Sequence, residues 1–133
     1  MSMTPDLRFL IYSAVLSWVM VLTASVFRVR GWTMGGVLLA FGNRDNLPEA
    51  TLIAGRAERA ARNMLENMVL FIALLVVAHA GGVTDSRVAT GAQLFFWARL
   101  VYFPVYLAGV RYVRSAVWLV GLIGLYLILA AVV

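Results

Sequence analysis

A charged helical segment leads without a break into a membrane-length apolar segment, and this junction constrains the fold more than any other feature. Residues 56–67 contain three arginines, two glutamates and two asparagines, and residues 68–78 are wholly apolar. No Gly or Pro lies between Arg56 and Ala80, which predicts one continuous helix. Four of its polar residues share spacings of i, i+3, i+4 and i+7, and therefore one helical face: Arg59, Arg62, Asn63 and Glu66.

Charged residues that enter a bilayer are costly and rare, so this polar stripe is a functional-site hypothesis. The structural alternative is a positively charged flank at the membrane surface with an internal Arg–Glu pair. That alternative explains Arg56 and Arg59, but it explains Asn63 and Glu66 poorly because they lie deeper along the helix. We therefore favour a functional role.

Composition predicts an all-α membrane protein. The chain has 133 residues, of which 63% are hydrophobic and only 13% are charged, against about 25% charged residues in soluble domains. A spanning helix needs about 20 apolar residues, and four segments meet this need, which predicts a four-transmembrane-helix bundle in a single domain, 1–133. The first segment lacks the small-residue cleavage site of a secretory leader and is expected to be retained. The predicted spans are residues 7–27, 63–80, 87–110 and 115–133.

The eleven basic residues are all arginine, and their distribution predicts the orientation. Six arginines flank or fill the first loop, at positions 28, 30, 44, 56, 59 and 62, and Arg111 and Arg114 lie in the third. The second loop has only Arg87 and the N-terminus only Arg8. The positive-inside rule then places loops one and three in the cytoplasm and both termini outside. Because no arginine-rich face stands clear of the membrane, we expect no nucleic-acid partner.

The absence of cysteine excludes disulfides, thiolate metal sites and a cysteine nucleophile. We expect no metal, and any thiol chemistry must use a thiol supplied by a ligand. His79 is the only histidine and has no carboxylate or second histidine at ligand spacing, so we interpret it as an interfacial residue rather than a catalytic one.

Turn and packing residues predict the helix boundaries. The first loop contains a cluster of turn residues at 42–48, and Pro48 or Thr51 is expected to start the second long helix. Gly81 and Gly82 are expected to end it. Small residues at near-helical spacing in the first span are typical of close helix packing, and Gly121 and Gly124 in the last span are interpreted in the same way. The first-span residues are Ser13, Ala14, Ser17, Ala24 and Ser25.

The third span carries a second polar group, formed by Arg99, Tyr102 and Tyr106 at i, i+3 and i+7. An arginine in the middle of a span must face the bundle interior, and Glu66 is its expected counter-ion. Buried tyrosine hydroxyls also need partners, which favours a polar cavity over an aromatic packing surface with one ion pair. Pro104 is expected to kink this helix.

The entry to the fourth span forms a third polar group. Ser115 is predicted to be the N-cap of this helix, with Arg114 beside it. A cation at the N-terminal, positive end of a helix favours the binding of an anion and would lower the pKa of a bound thiol. Arg111 alone is interpreted as an interface anchor.

These residues together resemble the membrane-associated proteins in eicosanoid and glutathione metabolism, the MAPEG family. The resemblance rests on the pattern Arg56-x-x-Arg59-x-x-Arg62-Asn63-x-x-Glu66-Asn67, followed by Arg99, Tyr102, Tyr106, Arg114 and Ser115. It implies a homotrimer of four-helix subunits that holds glutathione between neighbouring subunits near the cytoplasmic face. It further implies that Arg114 and Ser115 lie near the sulfur, with Tyr106 as a further catalytic candidate. The implied glutathione-binding residues are Arg28, Arg59, Arg62, Asn63, Glu66, Arg99, Tyr102 and Tyr106.

Departures from the family pattern indicate which members of the family the chain resembles. Tyr102 stands where some members carry a histidine, and Trp118 stands where prostaglandin and leukotriene enzymes carry a tyrosine. The loop before Arg114 is also one residue shorter than in prostaglandin E synthase. These differences disfavour eicosanoid chemistry and look more like the bacterial members similar to microsomal glutathione transferase, which implies a bacterial inner membrane with both termini periplasmic.

The resemblance implies a membrane glutathione transferase that attacks a lipophilic electrophile from the membrane. Reduction of lipid hydroperoxides by the same thiolate stays open, as does a member that only binds lipid or glutathione. A small four-helix multidrug exporter is a further alternative. It needs a carboxylate free to exchange protons with a cation, and the arginines around Glu66 disfavour it.

Overall fold

The computed structural model describes residues 2–45 and 47–133, which form helices and connecting turns with no strand. The predicted all-α class is therefore confirmed. Asn46, within the predicted turn cluster, lies outside the described residues. The helices are α1 Pro5–Val29, α2 Met34–Phe41, α3 Leu52–Ala80, α4 Ser86–Ala108 and α5 Arg111–Val132.

Three of the four long helices, α1, α3 and α5, are long and apolar enough to cross a membrane. Helix α4 is long enough, but it is not among them; it carries Gln93 and the buried Arg99. It packs against α1, α3 and α5.

Capping residues position α3 as the sequence predicts. The Thr51 side chain accepts a hydrogen bond from the Ala54 backbone nitrogen at 3.2 Å, so Thr51 rather than Pro48 is the N-cap. The helix runs unbroken through the charged segment and ends at Gly81. The predicted continuous helix is confirmed.

The first loop contains a short helix, α2, that the sequence analysis missed. Thr33 caps it by accepting a hydrogen bond from the Gly36 backbone nitrogen at 2.9 Å. The sequence did not predict this helix because it contains Gly35 and Gly36, and glycine disfavours helices. Gly36 is required by packing, since a Cβ there would lie 1.9 Å from the Arg30 carbonyl oxygen.

The predicted start of the last span was wrong. Helix α5 begins at Arg111 with Val110 as its N-cap residue, so Ser115 lies inside the helix. The Ser115 hydroxyl donates to the Arg111 carbonyl oxygen at 3.3 Å. The short connection is possible because Gly109 ends α4 with a φ of 76°, in the left-handed region that glycine adopts readily.

Helices α4 and α5 approach each other at Gly91 and Gly124. A Cβ on Gly91 would lie 2.4 Å from the Gly124 carbonyl oxygen, and a Cβ on Gly124 would lie 2.6 Å from the Gly91 carbonyl oxygen. Both clashes are with backbone atoms, which cannot move aside as the end of a flexible side chain can. The expectation of close packing at Gly124 is confirmed, whereas at Gly121 a Cβ would meet only ordinary contacts at 3.6 Å or more.

Substitution of Gly91 by alanine should therefore push the two helices apart. We expect Gly91→Ala to lower the free energy of unfolding in detergent by about 1–3 kcal/mol, the usual cost of overpacking. Gly35→Ala is the matched control, since no atom lies within 4 Å of a Cβ built at that site. Equal stability of the two variants in denaturant titrations would show that the helices tolerate separation at Gly91.

Two side-chain pairs lie at the end of the bundle opposite loops one and three, and one of them joins two helices. His79 Nε2 lies 2.5 Å from Asp6 Oδ2, which links the last turn of α3 to the first turn of α1. This carboxylate comes from a remote part of the chain, which spacing along the sequence does not reveal, and the interfacial role of His79 stays a prediction. Asp85 caps α4, and hydrogen bonds from Arg87 lower the pKa of its carboxyl to about 2.

Candidate functional site

Three predicted polar groups meet in a cleft at the end of the bundle where α3 begins, α4 ends and α5 begins. The cleft has a volume of about 230 Å³. Its position follows from chain direction, since the first part of α3, the last part of α4 and the first part of α5 lie at the same end. The lining residues are Asn63, Tyr102, Tyr106, Arg114, Ser115 and Trp118.

Tyr106 lies between two arginines from different helices. The Arg114 guanidinium lies 4.9 Å from the centroid of the Tyr106 ring, a cation–π distance. Arg59 Nε donates to the Tyr106 hydroxyl at 3.2 Å. Since the hydroxyl oxygen accepts from Arg59, its own O–H remains available to donate to a ligand. Tyr102 packs beside it, with ring centroids 5.4 Å apart.

Arg99 is buried, with 1% of its surface exposed, and it pairs with Asn63 rather than with Glu66. Arg99 Nη2 donates to Asn63 Oδ1 at 2.5 Å, and Arg99 Nε lies 3.3 Å from Met64 Sδ. Its guanidinium also lies 4.6 Å from the Tyr102 ring centroid.

The predicted Glu66–Arg99 pair is therefore wrong. Glu66 is exposed on α3 and forms no ion pair with any described residue. Asn63 and Glu66 are three residues apart, which is a rotation of about 300° around the helix axis, so their side chains point about 60° apart. Asn63 thus faces α4, whereas Glu66 is directed away from Arg99.

Two donors fix the side-chain amide of Asn63. Arg99 donates to its oxygen, and Asn67 Nδ2 donates to the Asn63 backbone carbonyl at 2.8 Å with a longer contact of 3.4 Å to Oδ1. With its oxygen occupied, Asn63 presents its NH₂ group as the free half of the amide. Arg99 thus acts on the cleft through Asn63, which lines it.

A double-mutant cycle can distinguish the two pairings of Arg99. We expect Arg99→Met and Asn63→Ala to be non-additive, with a coupling of about 1.5–3 kcal/mol in the free energy of unfolding, because the hydrogen bond is charge-assisted. The control cycle, Arg99→Met with Glu66→Ala, should be additive within about 0.5 kcal/mol. Coupling only in the cycle with Glu66 would restore the pairing expected from the sequence.

The polar stripe of α3 divides into two. Arg59 and Asn63 belong to the cleft, whereas Arg62 and Glu66 are exposed on the surface of the single chain. Arg28 also lies apart from the lining residues, because it pairs with Glu58 at 3.3 Å and donates to the Pro48 carbonyl oxygen.

Trp118 is a cleft residue that the sequence analysis did not assign to the site. Its Nε1 is buried and has no hydrogen-bond partner among the described residues. A buried, unpaired donor costs about 1–3 kcal/mol. The available signal was its spacing from Arg114, because i and i+4 share a helical face. Ser115 also lines the cleft, although its hydroxyl already donates to the Arg111 carbonyl oxygen.

The cleft is rich in donors and cationic. Its lining includes an arginine, two tyrosine hydroxyls, an amide and an indole, and none of the six lining residues is acidic. Two further arginines donate to lining residues, Arg59 to Tyr106 and Arg99 to Asn63. Such an arrangement favours an anion with several acceptor atoms.

Comparison with known proteins gives one match that covers most of the chain. The model of the MAPEG family matches residues 8–133. No curated protein and no solved structure matches the chain.

Proposed function

This chain belongs to the MAPEG family, and on that premise we propose that it is a membrane-embedded glutathione transferase. Family membership over residues 8–133 and three apolar helices make it an integral membrane protein with a glutathione-related role. The observation that carries the transferase proposal is the convergence of Arg114, Tyr106 and Asn63 on a cleft without an acidic lining residue.

Glutathione binding in this proposal uses the cationic stripe of α3. Arg59 and Arg62 contact the two carboxylates of the tripeptide, since guanidinium groups bind carboxylates in a bidentate manner. Asn63 donates its NH₂ group to a peptide carbonyl, and Glu66 accepts from the ammonium group. Arg99 holds Asn63 in place from behind.

Arg114 activates the thiol. Its guanidinium is held over the Tyr106 ring at the edge of the cleft, and a cation near a thiol lowers the thiol pKa. Bound glutathione thus loses its proton to solvent, and the Tyr106 O–H donates to the thiolate. The thiolate then attacks a lipophilic electrophile that arrives from the membrane, so no protein base is required.

A second copy of the chain completes the site. The cleft of about 230 Å³ is smaller than the roughly 300–1,000 Å³ of typical small-molecule sites. Arg62 and Glu66 are exposed on a helix that crosses the membrane, where unshielded charge is unfavourable. A homotrimer in which a neighbouring subunit covers this face of α3 accounts for both observations.

The same proposal makes α4 the fourth span, packed against α1, α3 and α5. The arginine-rich connections α1–α3 and α4–α5 then face the cytoplasm of a bacterium. The cleft lies at that end of the bundle, where glutathione is supplied.

Calorimetry of purified protein tests the proposal. Titration with glutathione in two buffers of different ionisation enthalpy measures the protons released on binding. We expect release that approaches one proton per site near neutral pH, because the bound thiol ionises below its ordinary pKa of about 8.5. S-methylglutathione is the matched control, since it keeps both carboxylates and has no thiol proton. Binding without proton release would favour the binding-only alternative, and absence of binding would refute the proposal.

A further inference from the structure

The short helix α2 carries an apolar face that no described helix covers. Met34, Leu38 and Phe41 lie at i, i+4 and i+7, so their side chains share one face of the helix. Their exposed fractions are 76%, 68% and 89%. The buried residue of α2 is Gly36, on the opposite face, and α1 is the only described helix that α2 contacts. The apolar face is therefore turned away from the protein.

Both ends of α2 are held beside the last turns of α1. At its start, Gly36 lies against the backbone carbonyl oxygens of Val29 and Arg30. After its end, the Arg44 guanidinium donates from Nη1 and Nη2 to Ser25 Oγ at 3.3 Å. Ser25 lies four residues before the end of α1, about 6 Å back along the helix axis. Helix α2 is thus held where the apolar α1 reaches the edge of a bilayer.

Two exposed arginines flank the apolar face, and neither forms an ion pair with a described residue. Arg30 precedes α2 and Arg44 follows it. No acidic residue lies between them, and Asp45 and Glu49 belong to the segment that leads on to α3. Trp32 is 67% exposed, and tryptophan is enriched at the membrane interface. An apolar helix face with arginines beside it is typical of helices that lie in the headgroup region.

We propose that α2 is a membrane-docking helix, whose apolar face enters the lipid leaflet at this end of the bundle while Arg30 and Arg44 bind the anionic headgroups of phospholipids. A second copy of the chain would bring arginine-rich connections of its own to the same end, whereas an anionic lipid surface complements the two arginines. Each arginine near such a surface favours docking by about fivefold.

A single spin label can distinguish the surroundings of this face. The chain has no cysteine, so Leu38→Cys in the full-length protein provides one labelling site. The labelled protein is reconstituted in vesicles of phosphatidylcholine with and without phosphatidylglycerol. Collisions with oxygen report lipid, and collisions with a water-soluble nickel chelate report water. In vesicles with phosphatidylglycerol we expect frequent oxygen collisions and rare nickel collisions at Leu38. The reverse is expected at Thr84→Cys, the control in the exposed α3–α4 connection.

Neutralisation of one arginine tests the role of the headgroups. Arg30 has a φ of 54°, in the left-handed region that asparagine tolerates. With the Leu38 label in vesicles that contain phosphatidylglycerol, we expect Arg30→Asn to lower the ratio of docked to undocked label about fivefold. The two components of the spectrum give this ratio. In phosphatidylcholine alone the substitution should have little effect. Arg8→Asn, at the opposite end of α1, is the matched control.

Three results would contradict the proposal. Frequent nickel collisions at Leu38 would mean that the face lies in water, and rare collisions with both reagents would mean that a second copy of the chain covers it. Either result would refute docking to lipid. Docking that is equal in the two kinds of vesicle and insensitive to Arg30→Asn would refute the binding of anionic headgroups.

Discussion

Replacement of Arg114 by alanine should lower kcat with chlorodinitrobenzene about 10²–10³-fold, the usual effect of removing one fixed group that stabilises developing negative charge. The physical reason is the position of its guanidinium, 4.9 Å from the Tyr106 ring centroid on the wall of the cleft. Since in our proposal this cation stabilises the thiolate, its removal should raise the pKa of bound glutathione. Ultraviolet absorbance of the thiolate, followed against pH, measures that shift directly.

The variant should still bind glutathione within a few-fold of the unaltered protein, because our proposal assigns the carboxylates to α3. Arg114→Lys keeps a positive charge and should retain part of the activity. Arg111→Ala is the matched control: it lies one turn earlier on α5, is exposed, and does not line the cleft. A normal thiolate titration in Arg114→Ala would make Arg114 an anchor and leave the Tyr106 hydroxyl as the next candidate for activating the thiol.

The fold was largely predictable because apolar length and helix breakers are local signals. An uninterrupted run from Arg56 to Ala80, capped by Thr51 and ended by Gly81, is readable from the chain alone. The start of α5 was not readable in this way. Any residue can follow Gly109 in its left-handed conformation, and Ser115 is a residue type that often caps helices but lies inside this one. Helix α2 was missed because Gly35 and Gly36 lower its helix propensity, although Gly36 is required by packing.

The candidate site was predictable in membership more than in contacts. Helical spacing correctly grouped Tyr102 with Tyr106, and the structure places both in a cleft with Asn63 and Arg114. Spacing on one helix cannot decide which of two nearby polar residues meets a partner on another helix, so Arg99 was given to Glu66 rather than to Asn63. Charge alone predicted the Glu66 carboxylate as the partner of Arg99, whereas the rotation of α3 brings the Asn63 amide to it.

The division of the α3 stripe also shows what a single chain leaves incomplete. Asn63 is held inside the bundle by Arg99, but Arg62 and Glu66 are exposed and have no partner of opposite charge among the described ion pairs. A ligand and a neighbouring subunit are the partners that our proposal supplies. This distinction gives the two faces of α3 separable roles.

Arg62→Ala should therefore weaken glutathione binding without unfolding the subunit. Loss of one partner from a desolvated charge pair costs about 2–5 kcal/mol, and each 1.4 kcal/mol is tenfold in the dissociation constant, so we expect a rise of at least about 30-fold by calorimetry. The ligand-free subunit should stay folded, because Arg62 is exposed in the single chain; a fall in the melting temperature would report on the subunit interface that this face of α3 forms in our proposal. Arg87→Ala is the control, since Arg87 pairs with Asp85 at the opposite end of the bundle. A folded Arg62→Ala protein with an unchanged dissociation constant would remove Arg62 from the binding site and leave the ligand to the cleft that Asn63 lines with α4 and α5.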